Sequence, residues 1–341
     1  MAETPQGWPT FKPVGCRQAT PTSSSLVSHN GIQSCKFRAL GGPCEILVVA
    51  NPDEAAPFFA AARQELARFE ATYSRYLPDS LISRINASAG SQWTDIDPET
   101  EFLFGVADWL FEKSQGRFDL TSGIFRRAWK FGSAAQSQST QGPSATSAAI
   151  VSLPSPEELA ALAAHVGWNR IERRAGQIRL PDPQMEIDLG GIGKEYAADR
   201  VARLLKGQNA LVNLGGDLVA LGRKPDASPW QAGIQHPRKE NTILASLAVT
   251  DKALATSGDY QRVVEINGQR YSHVLNATTG WPVAYWQSVS VSAANCLQAG
   301  CLTSLAMVLE QDGLKVLQDS GQAFLAVDPL GKVVQGSSSN A

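Results

Sequence analysis

Residues 185–205, MEIDLGGIGKEYAADRVARLL, constrain the fold more than any other stretch of the chain. Residues 185–189 alternate apolar and polar side chains as a strand does. Gly190, Gly191 and Gly193 then make a turn, and Ala197, Val201, Leu204 and Leu205 fall on one face of a helix. The start of such a helix carries unpaired amides and the positive end of the helix dipole, which suit a phosphate or a carboxylate. Lys194 adds a charge at the same point. Two nucleotide motifs fail here. A P-loop needs glycine where Asp188 stands and Ser or Thr where Glu195 stands, and the dinucleotide fingerprint needs its third glycine where Tyr196 stands. Read alone, the turn is either an anion cradle or a tight strand–helix connection.

Elsewhere strands and helices are interspersed, which predicts a mixed α+β or α/β fold without repeats. Helical spacing marks 57–74 and 98–115. A capping Ser155 before Pro156 opens a helix over 155–165, and 297–310 is an apolar helix. Strands are expected at 44–50, 242–249, 262–266, 270–275, 287–293 and 323–327. The chain has 341 residues, 43% hydrophobic, enough for one large core. Residues 1–33 are too polar to offset the entropy of ordering them and read as a disordered tail. The folded domain is expected over 34–335, with a low-complexity surface loop at 133–149 and a frayed terminus at 336–341.

A formal charge of −2 without blocks of like charge argues against a nucleic-acid surface. No run of about eighteen apolar residues is present to cross a membrane. Five cysteines without CxxC spacing read as reduced thiols. Nothing in the first thirty residues resembles the apolar core of a signal peptide, so a cytoplasmic location is expected.

Three further clusters carry potential chemistry. Gly215, Gly216 and Asp217 lie between strand-like segments, where Asp217 either holds a ligand or closes the turn. Thr256, Ser257, Gly258 and Asp259 repeat that ambiguity. His273 is placed inside the strand 270–275, where a neutral imidazole takes a proton near neutral pH or serves as a structural residue. Ser272 points to the opposite face of that strand, and no GxSxG elbow exists, so a Ser hydrolase is disfavoured.

Taken together and in order, the motifs resemble the ApbE family of flavin transferases over about residues 37–334. They are FRALGG (37–42), YSRYLPDSLISRIN (73–86), FDLTSG (118–123), IDLGGIGKEYAADR (187–200), LVNLGGDLVALG (211–222), ATSGDY (255–260), YSHVLNATTGWPV (271–283) and AGCLTSLAMVL (299–309). The resemblance implies an α+β fold of mixed sheets with packed helices, ApbE-like and T-fold-like. It also implies an FAD site at Ser74, Tyr76, Asp119, Thr121, Gly191, Lys194, Gly216, Asp217, Thr256, Ser257 and Gly258. The implied reaction moves FMN from FAD to a Thr or Ser hydroxyl of a partner redox protein and releases AMP. His273 matches the catalytic histidine, and Lys194 neutralises phosphate charge. A flavin carrier and an enzyme hydrolysing FAD to FMN and AMP are the competing readings.

The same resemblance implies Mg²⁺, but the chain departs from the family pattern around it. Gly300 and Ser304 stand where the family usually has a metal-binding Asp and a Thr, and Gly193 where it has Ala. The expected remaining ligands are the Gly193 carbonyl and the Ser304 hydroxyl, with Asp217 or Asp259 as compensating carboxylates and the ion held weakly. On this reading Gly300→Asp tightens Mg²⁺ dependence. Glu195 replaces a usual Gly and either lies near the diphosphate or points outward. Leu40 and Gly42 replace the Met and Thr of the first motif.

Overall fold

The structure, a computed structural model, describes residues 25–129, 153–260 and 262–337. The expected loop at 133–149 lies outside them, as do residues 1–24 of the expected tail. In chain order the first half contains β1 (Ser25–His29), β2 (Ile32–Ala39), β3 (Gly42–Val49), α1 (Pro52–Tyr73), α2 (Leu81–Ala87), β4 (Thr94–Asp95) and α3 (Pro98–Lys113). A 3-10 turn (Leu120–Arg127), α4 (Pro156–Ala163), β5 (Glu172–Arg174) and β6 (Gln177–Arg179) lead to α5 (Gly193–Leu204). There follow β7 (Ala210–Leu214), β8 (Asp217–Leu221), β9 (Trp230–Gln235), β10 (Ile243–Val249), β11 (Lys252–Gly258), β12 (Val263–Ile266), β13 (Gln269–Ser272) and β14 (Ser288–Ala293). The chain closes with α6 (Cys296–Leu309), α7 (Gly313–Asp319), β15 (Ala323–Val327) and β16 (Val333–Gly336).

Nine strands form one sheet in the order β1-β2-β3-β7-β8-β11-β14-β15-β16, and every neighbouring pair runs antiparallel. The fold is therefore α+β. The helical segment between β3 and β7 is inserted between two strands that pair directly. Alternation along β3 turns Cys44, Ile46 and Val48 inward. On that face α1, α5 and α6 cover the sheet, burying Leu66, Phe69, Val201, Val212, Val291 and Leu305. The other face is covered by the β9–β10 hairpin through Trp230, Ile234 and Leu254. A smaller apolar cluster of Phe125, Trp129, Leu159 and Ile266 ties the 3-10 turn and α4 to the β12–β13 hairpin.

Several expectations need correction. The fold is entered before residue 34, because β1 and β2 pair from Ser25↔Lys36 to His29↔Ile32 across an Asn30-Gly31 turn with positive φ at both residues. Gly336 closes β16, so the expected frayed terminus also begins within a strand. Residues 185–189 are extended but join no ladder. The Asn86 side chain holds both backbone groups of Ile187, at 2.7 and 3.0 Å, and Asp188 N–H donates to Leu120 O at 3.0 Å. Side-chain and loop partners thus satisfy the hydrogen bonds a neighbouring strand would have taken. The first helix begins at Pro52, five residues before the expected start, because Asn51 and Glu54 form a capping box. His273 lies just past β13 in a bend rather than inside a strand. Cys35, Cys44, Cys296 and Cys301 are buried and unpaired by disulfides. No described helix is long and apolar enough to cross a membrane.

Candidate active site

Four separated segments meet at one end of the large sheet. The β7–β8 turn is made by Gly215 and Gly216 at φ 68° and 104°, a two-residue hairpin in a conformation that favours glycine. It delivers Asp217, 4% exposed, to the helix-covered face, where its carboxylate accepts the Thr256 N–H. The α5 N-terminus arrives from the side. Ile192 offers it no side-chain cap, and the Gly193 N–H is taken by Leu189 O at 2.8 Å, which leaves the Lys194 amide of the first turn open toward a ligand. Lys194 Nζ stands 3.8 Å from Asp217 Oδ2. Gly191 is required at the bend, since a Cβ there would stand 2.9 Å from the ring of Phe118.

A second link joins the glycine bend to the end of α1. Arg75 Nη1 pairs with Asp188 Oδ2 at 2.8 Å, and Arg75 Nη2 donates to the Tyr76 hydroxyl at 3.0 Å. A Cβ on Gly123 would meet Asp188 and Arg75 at 3.1 and 3.3 Å, so the 3-10 turn also closes on this pair. Ser74 caps α1 and accepts the Tyr76 N–H, which leaves the Tyr76 ring 77% exposed at the rim. Sequence reasoning missed Arg75 and Asp188. Their opposite charges inside two motifs were the available signal.

His273 reaches the same region from the β12–β13 hairpin. Its backbone N–H donates to Arg262 O at 3.0 Å, and the Arg262 guanidinium approaches Gly41 of the first motif. Nδ1 is buried with no hydrogen-bond partner among the described residues. Burial, then the charges of Arg262 and Lys194, push its pKa down to about 4. The imidazole is therefore neutral at pH 7 and lies within the field of Lys194.

The structure does not gather every predicted residue. Asp119 and Thr121 are buried in their own loop. Asp119 accepts from the amide and hydroxyl of Thr121 and from Trp168 N–H at 2.6 to 2.8 Å, while Thr121 Oγ1 accepts Gly167 N–H at 2.8 Å. These residues shape the loop that carries Gly123. The Thr256 side chain bonds Ser290 on the hairpin-covered face, so only its N–H reaches Asp217. Ser257 points the other way and bonds Thr303 of α6. Gly258 ends β11 where a Cβ would stand 2.4 Å from the Tyr260 ring.

Gly193 starts α5, with room for an added Cβ at 3.6 Å from Phe69, and Ser304 lies half-buried one turn beyond Gly300. Asp259 does not stand by as a compensating carboxylate. Arg238 holds both its oxygens at 2.6 Å. Glu195 points inward, not outward. Burial and then the neighbouring Asp217 charge raise its pKa, and Oε2 has no partner among the described residues. The space expected for an aspartate at position 300 is already filled, because a Cβ on Gly300 would stand 2.4 Å from Glu195 Cγ. Gly300→Asp alone therefore meets a steric block rather than an open metal position.

The ApbE family profile matches residues 40–326. The FAD:protein FMN transferase of Salmonella typhimurium is 27% identical over 328 residues, 93% of this chain and 89% of that protein. That of Escherichia coli (strain K12) is 31% identical over 270 residues, 74% of this chain and 72% of its own. Among solved structures, the ApbE protein of Thermotoga maritima superposes with a TM-score of 0.78 at 26% identity, covering 92% of this chain and 97% of its own. Flavin transferase ApbE from Vibrio cholerae gives 0.75 at 25% identity, covering 93% and 98%.

Proposed function

Since the chain belongs to the ApbE family, we propose that it moves FMN from FAD to a Thr or Ser hydroxyl of a partner redox protein and releases AMP. The observation that carries this reading is the imidazole of His273, neutral at pH 7 and with no partner for its Nδ1 among the described residues, held in the electrostatic field of Lys194 at the start of α5. His273 takes the proton of the acceptor hydroxyl. The hydroxyl oxygen bonds to the FMN-side phosphorus as the bond from that phosphorus to the bridging oxygen breaks, and AMP departs with the bridging oxygen. The ammonium and the open amide of Lys194 offset phosphate charge through the transfer.

Gly191 and Gly216 let backbone approach the diphosphate, Ser257 and Gly258 border it, and Ser74 with the exposed Tyr76 ring forms the rim for the flavin. Asp119, Thr121 and Thr256 hold these segments in place.

The donors present suit a hard divalent cation such as Mg²⁺, which would supply further charge neutralisation at the diphosphate. An unpartnered carboxylate oxygen is buried at Glu195, with the Ser304 hydroxyl and the Gly193 carbonyl as neutral oxygen ligands. No group of three or more His, Cys, Asp or Glu fit to hold a metal occurs among the described residues, so substrate phosphates would complete the coordination.

The direct test incubates the protein with FAD, Mg²⁺ and an acceptor domain carrying a Thr or Ser site, then weighs the acceptor. A gain of one FMN phosphoester with equimolar AMP is expected. FMN appearing free without an acceptor would instead identify hydrolysis, and stoichiometric flavin binding without AMP would identify a carrier.

A further inference from the structure

Glu195 is the most unusual group near the site. It stands in the first turn of α5, 7% exposed, and its Oε2 meets no donor among the described residues. Buried carboxylates are normally satisfied by donors or by a cation. Two acidic side chains, Glu195 and Asp217, both lean on the ammonium of Lys194, which is itself 3.8 Å from Asp217. Lys194 is a single positive charge between two carboxyl groups, so ionising both beside the proposed diphosphate calls for a further cation, and phosphate oxygens add to that demand.

The glutamate occupies its place because α6 yields it. A Cβ at position 300 would fall 2.4 Å from Glu195 Cγ and 3.1 Å from Cδ, so the absence of a side chain on Gly300 is what admits the glutamate between the helices. Four residues further along α5, Asp199 accepts the N–H groups of Cys296 and Leu297 at 2.7 and 2.9 Å, which fixes the α5–α6 register at this contact. The two positions are therefore spatial neighbours, and the chain has a carboxylate on the first and none on the second. Asp259, weighed above as a compensating carboxylate, is committed to Arg238.

We propose that Glu195 is the charged ligand of a divalent cation that accompanies the FAD diphosphate, supplied from α5 across the bare backbone of Gly300. The relocation rests on the proposed FAD site and adds to it the identity of the metal-binding carboxylate. An aspartate reaching from α6 and a glutamate reaching from α5 deliver the same oxygen chemistry to one place. A glutamate is the longer by one methylene, which suits a ligand that must cross the helix interface.

The test uses the full chain with Mn²⁺ as a spin probe for the Mg²⁺ position, followed by electron paramagnetic resonance with and without FAD. FAD binding in metal-free buffer is followed separately by flavin fluorescence. Wild type with FAD is expected to take up one Mn²⁺. Glu195→Gln, equal in size and uncharged, is expected to bind FAD without metal but to lose Mn²⁺ affinity roughly tenfold or more. The exchange Glu195→Gly with Gly300→Asp is expected to recover most of that loss, whereas Gly300→Asp alone gains nothing because its side chain meets Glu195. Unchanged Mn²⁺ affinity in Glu195→Gln would make the residue a neutral filler and overturn the proposal, as would FAD-loaded wild type taking no Mn²⁺. Failure of FAD itself to bind overturns the flavin reading first, and the fluorescence titration separates that outcome from the others.

Discussion

His273 is held as a free base by its surroundings. With Arg262 and Lys194 nearby and burial penalising the imidazolium, its pKa sits at about 4, so the acid limb of kcat/KM should fall near pH 4 rather than near 6.5. Bound FAD brings negative phosphates, which favour the imidazolium, and the limb in kcat should therefore move upward. A pH–rate profile under both conditions checks the sign. His273→Ala should lower transfer about 10²- to 10⁴-fold, the span of a general base, while the FAD dissociation constant stays within about threefold. Comparable losses in both would assign the ring a structural role. The residue's chemistry was readable from its place in the motif. Its depressed pKa was not, because Arg262 and Lys194 belong to segments far apart in the chain.

At the scale of elements, the site depends on where α5 is clamped. Arg68 of α1 donates to Glu65 at 2.7 and 2.9 Å and to Glu99 of α3 at 2.8 and 3.0 Å, while Arg200 of α5 pairs with Glu65 at 2.9 Å. Tyr196 adds a hydroxyl to Glu99 at 2.9 Å. Arg68→Ala leaves two buried carboxylates short of a partner and should cost about 3–5 kcal/mol in urea unfolding.

Asp199 makes the companion clamp onto α6. Burial raises its pKa to about 6 despite two amide donors. A raised carboxyl stabilises the fold below the unfolded value, near 4, and loses that contribution as pH climbs through 6. Asp199→Asn turns an amide group toward one of those N–H donors and should cost about 1–3 kcal/mol. The gap from wild type should narrow between pH 4 and pH 7, whereas a constant gap would contradict the assigned ionisation.

Helices were legible where local chemistry settles them, as at the Ser155 cap and the stripe 197–205. Residues 185–189 were misread as a strand because alternation reports burial of one side and says nothing about what receives the backbone hydrogen bonds. Those partners, Asn86 and Leu120, are tertiary. The pairing of Glu195 with Gly300 was visible only as two separate departures from a family pattern until helix packing set them side by side.

Over the whole molecule, a single antiparallel sheet with a long helical insertion between β3 and β7 brings eight sequence motifs toward one end, but strand pairing alone does not join the loops. Periodicity left α+β and α/β both open and the family resemblance favoured the first, but neither gave strand order, since antiparallel neighbours such as β3 and β7 are separated by five helices and three short strands. Across that end the ion pair Arg75–Asp188, with side chains 18% and 27% exposed, ties the end of α1 to the glycine bend beside Gly123. Such a partly exposed pair contributes little to global stability, roughly 1 kcal/mol or less. Its effect should appear in preorganisation, because a bend free to move must be ordered again when FAD binds. Arg75→Met is therefore expected to leave the melting temperature within a few degrees, by roughly the shift that energy implies. It should weaken FAD binding by about tenfold in flavin-fluorescence titrations, a tenfold change being about 1.4 kcal/mol. Combined with Asp188→Asn, the loss should be less than the product of the two single losses, since either change already breaks the tie. Multiplicative losses would mean that Arg75 and Asp188 touch the ligand independently, and a large fall in melting temperature would place their role in the fold instead.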